Sequence, residues 1–170
     1  MNARTEIESG LVRRAEEGEV LEFANVRGRL AIDGEETGDR FAVAVFPHIP
    51  PRTLAAPLHR HHHEDEYTYV LDGSLGVQIG DEIVTATAGT WILKPRMRWH
   101  TFWNPGDTPC RTVEIVSPAG FQRYFRELAA AGADLEQLAR LNAKYAIDMD
   151  FESVPALCDR FGLRFPVGGM

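Results

Sequence analysis

Histidines are concentrated in two short stretches of the sequence, Pro57 to Gly73 (PLHRHHHEDEYTYVLDG) and Gly89 to Asn104 (GTWILKPRMRWHTFWN). Five of the six histidines lie in these stretches, and Glu66 lies among them. Neutral imidazoles and a carboxylate are ligands that divalent first-row metals accept. Three imidazoles and one carboxylate are enough to hold such an ion, so the two stretches predict a metal site.

The spacing of these residues indicates how they meet. His59 and His61 are two positions apart, so they point to the same face of an extended strand. Glu66 follows after an odd step, which requires a tight turn or bulge over His62 to Asp65 before the carboxylate can join that face. His100 must come from a separate strand. The predicted ligands are therefore His59, His61, Glu66 and His100.

Turn signals divide the region around the two stretches into short strands. Glycine-containing turns at Asp72-Gly73, Gly80-Asp81 and Ala88-Gly89 separate the predicted strands Glu66 to Leu71, Ser74 to Ile79, Glu82 to Thr87 and Trp91 to Leu93. A chain that folds back this often can return His100 beside the upstream histidines by antiparallel pairing. We expect the four ligands on the inner wall of a small β-barrel.

The two stretches resemble the paired motifs of the cupin family, G-x5-H-x-H-x(3,4)-E-x6-G and G-x5-P-x-G-x2-H-x3-N. The first motif matches His59, His61, Glu66 and Gly73, and the second matches Gly89, Pro95, His100 and Asn104. Two glycines of the motifs are replaced, by Thr53 and Met97, and neither is a ligand position. Met97 makes the turn that glycine would form there less favourable.

This resemblance implies a mainly β fold, the cupin (double-stranded β-helix, or jelly-roll) barrel, with C-terminal α-helices. The stretch from about Gly28 to Leu128 is similar to single-domain cupins described as quercetin 2,3-dioxygenase-like. It further implies one divalent transition metal (Fe, Mn, Ni, Cu or Zn), a small-molecule substrate and a homodimer. The expected activity is that of a dioxygenase acting on an enolic or phenolic substrate.

The ligand set itself leaves the reaction open. Three neutral histidines and one carboxylate leave a divalent ion with a net charge and open coordination positions for water, dioxygen or substrate. Glu66 is also a candidate catalytic base, because it would lie beside a metal-bound hydroxyl. A non-redox cyclase, isomerase or lyase, or a module that binds a ligand without turnover, would use the same residues.

Other residues of the two stretches are assigned to the pocket or to its surroundings. Trp91, Met97 and Phe102, together with Leu93, are candidates for the pocket wall, although core packing explains them equally well. Tyr67 and Tyr69 alternate with Glu66, so they are expected on the outer face. The remaining histidines are expected to be solvated, His62 and His63 at the barrel mouth with Glu64 and Asp65, and His48 in a loop.

Composition indicates one globular domain that binds neither nucleic acid nor membranes. The chain has 170 residues with 44% hydrophobic residues, and its net charge of −7 comes without a basic stripe or a helix-turn-helix pattern. The start is polar and Cys110 and Cys158 form no C-x-x-C pair, which together predict a cytoplasmic protein with reduced thiols. We divide it into an N-terminal extension (1–18), a β-barrel (19–117) and a C-terminal helical extension packed on the barrel (118–170).

The remaining elements follow from hydrophobic periodicity. Strands are predicted over Val20 to Ala24, Val26 to Ile32, Arg40 to His48 and Cys110 to Val116, with a loop over Glu35 to Asp39. Ser117-Pro118 predicts the start of a helix that ends at Gly132, and Asp134 with Gln137 predicts the capping box of a second helix. A third helix is predicted over Ser153 to Phe161, closed by Gly162.

Overall fold

A computed structural model describes residues 12–23, 26–131 and 135–165. It is mainly β, with twelve strands and three α-helices in these ranges. The strands are β1 (Glu19–Phe23), β2 (Val26–Ile32), β3 (Ala42–Ile49), β4 (Thr53–Leu54), β5 (Leu58–His61), β6 (Asp65–Asp72), β7 (Ser74–Ile79), β8 (Glu82–Thr87), β9 (Trp91–Lys94), β10 (His100–Asn104), β11 (Cys110–Ser117) and β12 (Ile147–Asp150). The helices are α1 (Gln122–Ala131), α2 (Leu135–Lys144) and α3 (Ser153–Phe161).

The strands form two antiparallel sheets. One sheet has the order β1-β2-β3-β11-β6-β9, and the other has the order β12-β5-β10-β7-β8, with β4 also paired to β10. One buried apolar cluster contains residues of both sheets, among them Leu30 and Val70 of the first and Val77 and Ile147 of the second. The inner faces of the sheets therefore share one core. Within the described ranges the ladders of the two sheets do not join into the closed barrel that the sequence predicted.

The predicted strands are observed with small changes at their ends. The first predicted strand extended to Ala24, which lies outside the described residues. The predicted loop over Glu35 to Asp39 contains a 3-10 helix, Gly34–Thr37. Asp33 begins this helix with a capping box, in which its side chain accepts a hydrogen bond from Glu35 N while Glu36 accepts one from Asp33 N. The sequence contained this signal, an aspartate followed three positions later by a glutamate.

The first helix begins later than predicted. Ser117 is the last residue of β11 and pairs with Asp65, and its hydroxyl donates a hydrogen bond to Arg40 O. The bond between Ser117 and Pro118 is a cis peptide, and Gly120 takes a φ of 138° before α1 starts at Gln122. The predicted helix start at Ser117-Pro118 was wrong because this serine completes a strand. The predicted end of this helix at Gly132 and the capping residue Asp134 lie outside the described residues.

The C-terminal elements pack on both sheets. Phe121 and Phe125 are buried where α1 begins. The strand β12, which the sequence did not predict, pairs with β5. The third helix has the predicted bounds, and Gly162 ends it in a left-handed conformation with φ 63°. None of the described helices is long and apolar enough to cross a membrane.

Helix α3 is held by a second, smaller apolar cluster. Leu157 and Leu163 pack there with Leu54 of β4 and Trp103 of β10. The rings of Trp103 and Phe161 are stacked with their centroids 4.3 Å apart. Because Trp103 lies on the same strand as His100, this cluster supports the strand that carries a predicted ligand.

We predict that Leu157→Ala lowers the free energy of unfolding by about 2–4 kcal/mol, because it removes a buried side chain and leaves a cavity. Leu157 is 7% exposed, whereas Leu93 on the outer face of β9 is 52% exposed. The control variant Leu93→Ala should therefore change stability by less than about 0.5 kcal/mol. Urea unfolding of both variants measures the difference. Equal effects would show that α3 is not held by this cluster.

Candidate metal centre

Three strands bring the predicted ligands together. His59 and His61 lie on β5, and His100 lies directly opposite His59 in the antiparallel pair of β5 and β10. Glu66 lies on β6, in the other sheet, and faces these histidines across the core. The turn over residues 62–64 therefore carries the chain from one sheet to the other. Glu66 follows His61 by an odd number of residues because the chain changes sheets between them. A bulge within one strand is not the reason.

The four side chains form a compact, buried group. One ligand atom from each of His59, His61, Glu66 and His100 lies within 4.8 Å of the others, and all four residues are buried. Glu66 Oε2 is 2.9 Å from His100 Nε2, and Glu66 Oε1 is 3.5 Å from His61 Nε2. The centroids of the His59 and His100 rings are 4.2 Å apart. These four residues could hold a metal ion.

The Nδ1 atoms of His59 and His100 have hydrogen-bond partners that orient the rings. His59 Nδ1 is 2.8 Å from Pro57 O and His100 Nδ1 is 2.9 Å from Arg98 O. A carbonyl oxygen only accepts hydrogen bonds, so each of these Nδ1 atoms must carry the proton. His61 Nδ1 is 3.4 Å from Glu64 Oε2. The lone pair of the His59 ring and of the His100 ring is then on Nε2. His61 and His100 both present Nε2 to Glu66.

Several atoms of the group lack a hydrogen bond. His61 Nε2, His100 Nε2 and Glu66 Oε2 are buried and make no hydrogen bond of good geometry within the described ranges. Unpartnered buried polar atoms are rare, because each costs about 1–3 kcal/mol of desolvation. A cation would use all three atoms at once, so the donor set fits a divalent metal.

Burial and neighbouring charges set the protonation of the group. Burial, with the adjacent rings of His100 and His61, holds the pKa of His59 well below its ordinary value, which keeps this imidazole neutral. Burial alone would raise the pKa of Glu66. Lys94 and the histidines outweigh burial and hold that pKa well below the ordinary value. A neutral imidazole and an ionised carboxylate are the forms that bind metals.

Sequence reasoning missed a second buried charged group beside Glu66. Lys94 Nζ is 3.0 Å from Glu66 Oε2 and 3.1 Å from Glu114 Oε1, and Lys94 is 2% exposed. Thr68 Oγ1 donates a hydrogen bond of 2.7 Å to Glu114 Oε2. The available signal was the strand register, because Lys94 pairs with Glu66 and Glu114 pairs with Thr68 on adjacent strands.

The group opens onto a cavity between the sheets. The cavity comprises about 730 Å³ of non-protein space, part of it open to solvent. Its polar lining residues are His59, Glu66, Lys94, Glu114 and Gln122. The remaining lining is apolar and comes from both sheets and from α1, namely Leu21, Val26, Leu30, Ala42, Ala44, Phe46, Ala55, Ala56, Phe102, Val116, Phe121, Phe125, Ile147 and Met149.

One of the four side chains that the sequence suggested for the pocket wall lines the cavity. Phe102 lines the cavity. Trp91, Leu93 and Met97 are 60%, 52% and 51% exposed and do not line it. In β9 the inward positions are those of Ile92 and Lys94, so the alternation has the opposite phase to the one expected. Apolar side chains at both phases of this short strand concealed which face is buried.

The outer face of β6 and β9 carries Trp91 and Leu93 beside two tyrosines. Tyr67 pairs with Leu93 and Tyr69 pairs with Trp91, with the Tyr69 and Trp91 ring centroids 4.7 Å apart. Tyr67 is 36% exposed, so its predicted outward orientation is observed.

Met97 occupies a turn position at which the cupin motif has glycine. It takes the left-handed conformation with a φ of 63°, and its amide donates a hydrogen bond of 2.7 Å to His61 O. The turn is therefore kept despite the substitution. It ties the segment before His100 to the strand that carries His61.

The histidines outside the ligand set have other surroundings. His62 Nε2 is 2.9 Å from Asp148 Oδ2 of β12, and His63 and His48 are exposed. Glu64 does not join a solvated group at the barrel mouth, because it is 6% exposed and lies against His61 Nδ1. Asn104 of the second motif is structural, since its side chain donates hydrogen bonds to Ile49 O and Thr108 O.

Comparison with known proteins agrees with this geometry. Residues 45–116 match the family model described as the cupin domain. No curated protein sequence was found to match the chain. The two sheets of the chain have the cupin, or double-stranded β-helix, fold.

Solved structures share this fold at low sequence identity. KdgF from Halomonas sp. is similar with a TM-score of 0.56 and 13% identity, over 65% of this chain and 96% of that one. A "predicted oxalate decarboxylase" from Thermotoga maritima is similar with a TM-score of 0.56 and 21% identity, over 64% and 99%. Streptomyces PAC13 with uridine has a TM-score of 0.51 and 17% identity, over 65% and 83%. These likenesses show the fold alone.

We predict that His100→Ala loses bound metal, with an affinity at least about 100-fold lower, because one of four ligands is removed. His63→Ala should keep the metal content of the wild type, because His63 is exposed and outside the group. Elemental analysis of protein purified without a histidine tag measures both. Metal loss in His63→Ala with retention in His100→Ala would contradict the assignment.

Glu64→Gln should weaken metal binding by about 10- to 100-fold, because Glu64 is the carboxylate that faces Nδ1 of His61. The neighbouring carboxylate Asp65 bonds instead to Arg96 at the surface, so Asp65→Asn is the matched control and should leave the affinity unchanged. Competition with a chromogenic chelator measures both affinities. Equal affinities in the two variants would remove the orienting role of Glu64.

Proposed function

We propose that this protein is a metal-dependent enzyme acting on a small organic molecule, with dioxygenation of an enolic or phenolic substrate as its reaction. One observation supports this most strongly: the ligand atoms of His59, His61, Glu66 and His100 converge within 4.8 Å at the wall of a largely apolar cavity. A structural metal site would be closed by protein on all sides. Two members of this group, His59 and Glu66, line the cavity.

Each protein residue has a defined part in the proposal. His59, His61, His100 and Glu66 would hold a divalent ion such as iron, manganese, nickel, copper or zinc. Such an ion supplies Lewis acidity and, where it is redox-active, reactivity with dioxygen. Glu66 has two carboxylate oxygens, so one can bind the ion while the other accepts the proton of a substrate hydroxyl.

The apolar wall suits a flat organic substrate. Phe102, Phe121 and Phe125 line the cavity, and aromatic side chains offer large apolar contact areas. Phe121 also packs edge-on against His61, with the ring centroids 4.2 Å apart. This contact fixes the imidazole ring and shields its side from water.

A non-redox reaction is the second candidate, in which the same residues promote a cyclisation, isomerisation or elimination. The buried pair of Lys94 and Glu114 favours it, because groups that exchange protons serve such reactions directly and oxygenation does not require them. A homodimer and a cytoplasmic location remain part of the proposal.

Product formation with flavonol and with aromatic diketones, measured in air and under argon, separates the two reactions. For a dioxygenase we expect oxygen uptake in step with product, and a fall in rate of at least about 100-fold under argon. His100→Ala should abolish turnover in air. Turnover that is unchanged under argon would remove the dioxygenase and leave the non-redox reaction, while tight binding without product in either gas would indicate a binding module.

A further inference from the structure

Lys94 is an unusual residue for the wall of an apolar cavity. It is 2% exposed, and a buried ammonium group is tolerated only where opposite charges compensate it. Glu66 and Glu114 supply that compensation at 3.0 and 3.1 Å. The aromatic ring of Phe102 adds a weaker contact, with Nζ 4.9 Å from its centroid.

The strand register places these charges in two neighbouring rows on the inner face of one sheet. Lys94 pairs with Glu66 across β9 and β6, and Glu114 pairs with Thr68 across β6 and β11. Thr68 donates to one oxygen of Glu114, while the other, Oε1, has no hydrogen bond of good geometry within the described ranges. Glu114 Oε1 is therefore compensated by its ion pair with Lys94 Nζ.

The charge of Lys94 is only partly balanced once Glu66 binds a metal. Glu66 then shares its negative charge with the ion, so Glu114 is the remaining carboxylate against Lys94. With Glu114 in its ionised form and a formal charge of two on the ion, the ion, the lysine and the two carboxylates sum to a single positive charge inside an apolar cavity. A monoanionic ligand would neutralise that charge, and the Lys94 ammonium group would donate a charge-assisted hydrogen bond to its anionic oxygen.

We propose that Lys94 is a second anchoring point of the cavity, which binds the anionic oxygen of a substrate with an apolar, aromatic body and one acidic hydroxyl. The inference rests on the proposed metal site, because the ion and Lys94 together would select the ionised substrate. Glu114, held by Thr68, is a positioning residue that keeps the ammonium group at the cavity wall. The remaining lining, such as Phe46 and Phe125, contacts the apolar body.

The test uses binding rather than turnover, with protein loaded with zinc, which has no redox chemistry. The probes are flavonol and its parent flavone, which lacks the acidic hydroxyl. Absorbance titration gives both dissociation constants and shows whether bound flavonol is ionised. Elemental analysis of the same samples gives the zinc content.

The variant Lys94→Met/Glu114→Gln removes the pair without changing the net charge, so it tests the hydrogen bond from Lys94 apart from the summed charge of the cavity. The matched control, Lys144→Met/Glu127→Gln, removes a surface ion pair in which Lys144 is 58% exposed. We expect the wild type and the control to bind ionised flavonol more tightly than flavone. The Lys94 variant should keep its zinc and bind flavonol about 10- to 100-fold more weakly, with the affinity for flavone unchanged.

Unchanged flavonol affinity in the zinc-loaded Lys94 variant would overturn the inference, as would equal affinities of the wild type for flavonol and flavone. A wild type that binds no zinc or other divalent ion would instead contradict the proposed metal site. If the double variant does not retain zinc, the same two titrations on Lys94→Gln decide between these outcomes.

Discussion

The structure depends on the pairing of β5 with β10, which sets His59 opposite His100. Backbone hydrogen bonds fix this register, and a shift by one residue would turn the imidazoles of one strand to the opposite face. The supports of the register are local and independent of any metal. They include the bond from the Met97 amide to His61 O and the packing of Trp103, on β10, against α3.

The two sheets bury groups in the core that apolar surroundings disfavour. His61, His100 and Glu66 are buried with ligand atoms left without hydrogen bonds in the described ranges, and Lys94 and Glu114 are buried beside them. Each such atom destabilises the folded chain relative to an apolar replacement. A bound cation would use the lone pairs of the first group, and an anionic ligand would complement the second. Binding of the cation and of the anionic ligand would therefore offset the cost of burying these groups.

Much of the site could be predicted from the sequence because ligand chemistry is tied to residue type and spacing. His59, His61, Glu66 and His100 meet as expected, since period-two alternation and antiparallel return leave few other arrangements. The predicted path of the chain between His61 and Glu66 was only partly correct, because the turn after His61 leads into the other sheet. Lys94 was missed because the other residues of its strand are apolar on both faces, so the sequence does not show which face is buried. Only the register with Glu66 shows that Lys94 points inward.

The strands and helices could be predicted where the hydrophobic periodicity or the turn residues were distinct. The prediction was less accurate in the C-terminal part of the chain. The bounds of β2, β7, β8 and α3 agree with the sequence pattern. The strand β12 has the sequence IDMD, which carries little β propensity, and it forms because β5 offers an open edge. The start of α1 was misplaced for a related reason, since long-range pairing of Ser117 outweighed its local preference as a helix cap.

Crystals of the protein grown with one divalent transition metal, measured at the absorption edge of that metal, test the central claim most directly. A single anomalous peak within bonding distance of Nε2 of His59, His61 and His100 and of a carboxylate oxygen of Glu66 is the predicted result. An anomalous peak only at the surface beside His62 and His63, with these four side chains unliganded, would contradict it.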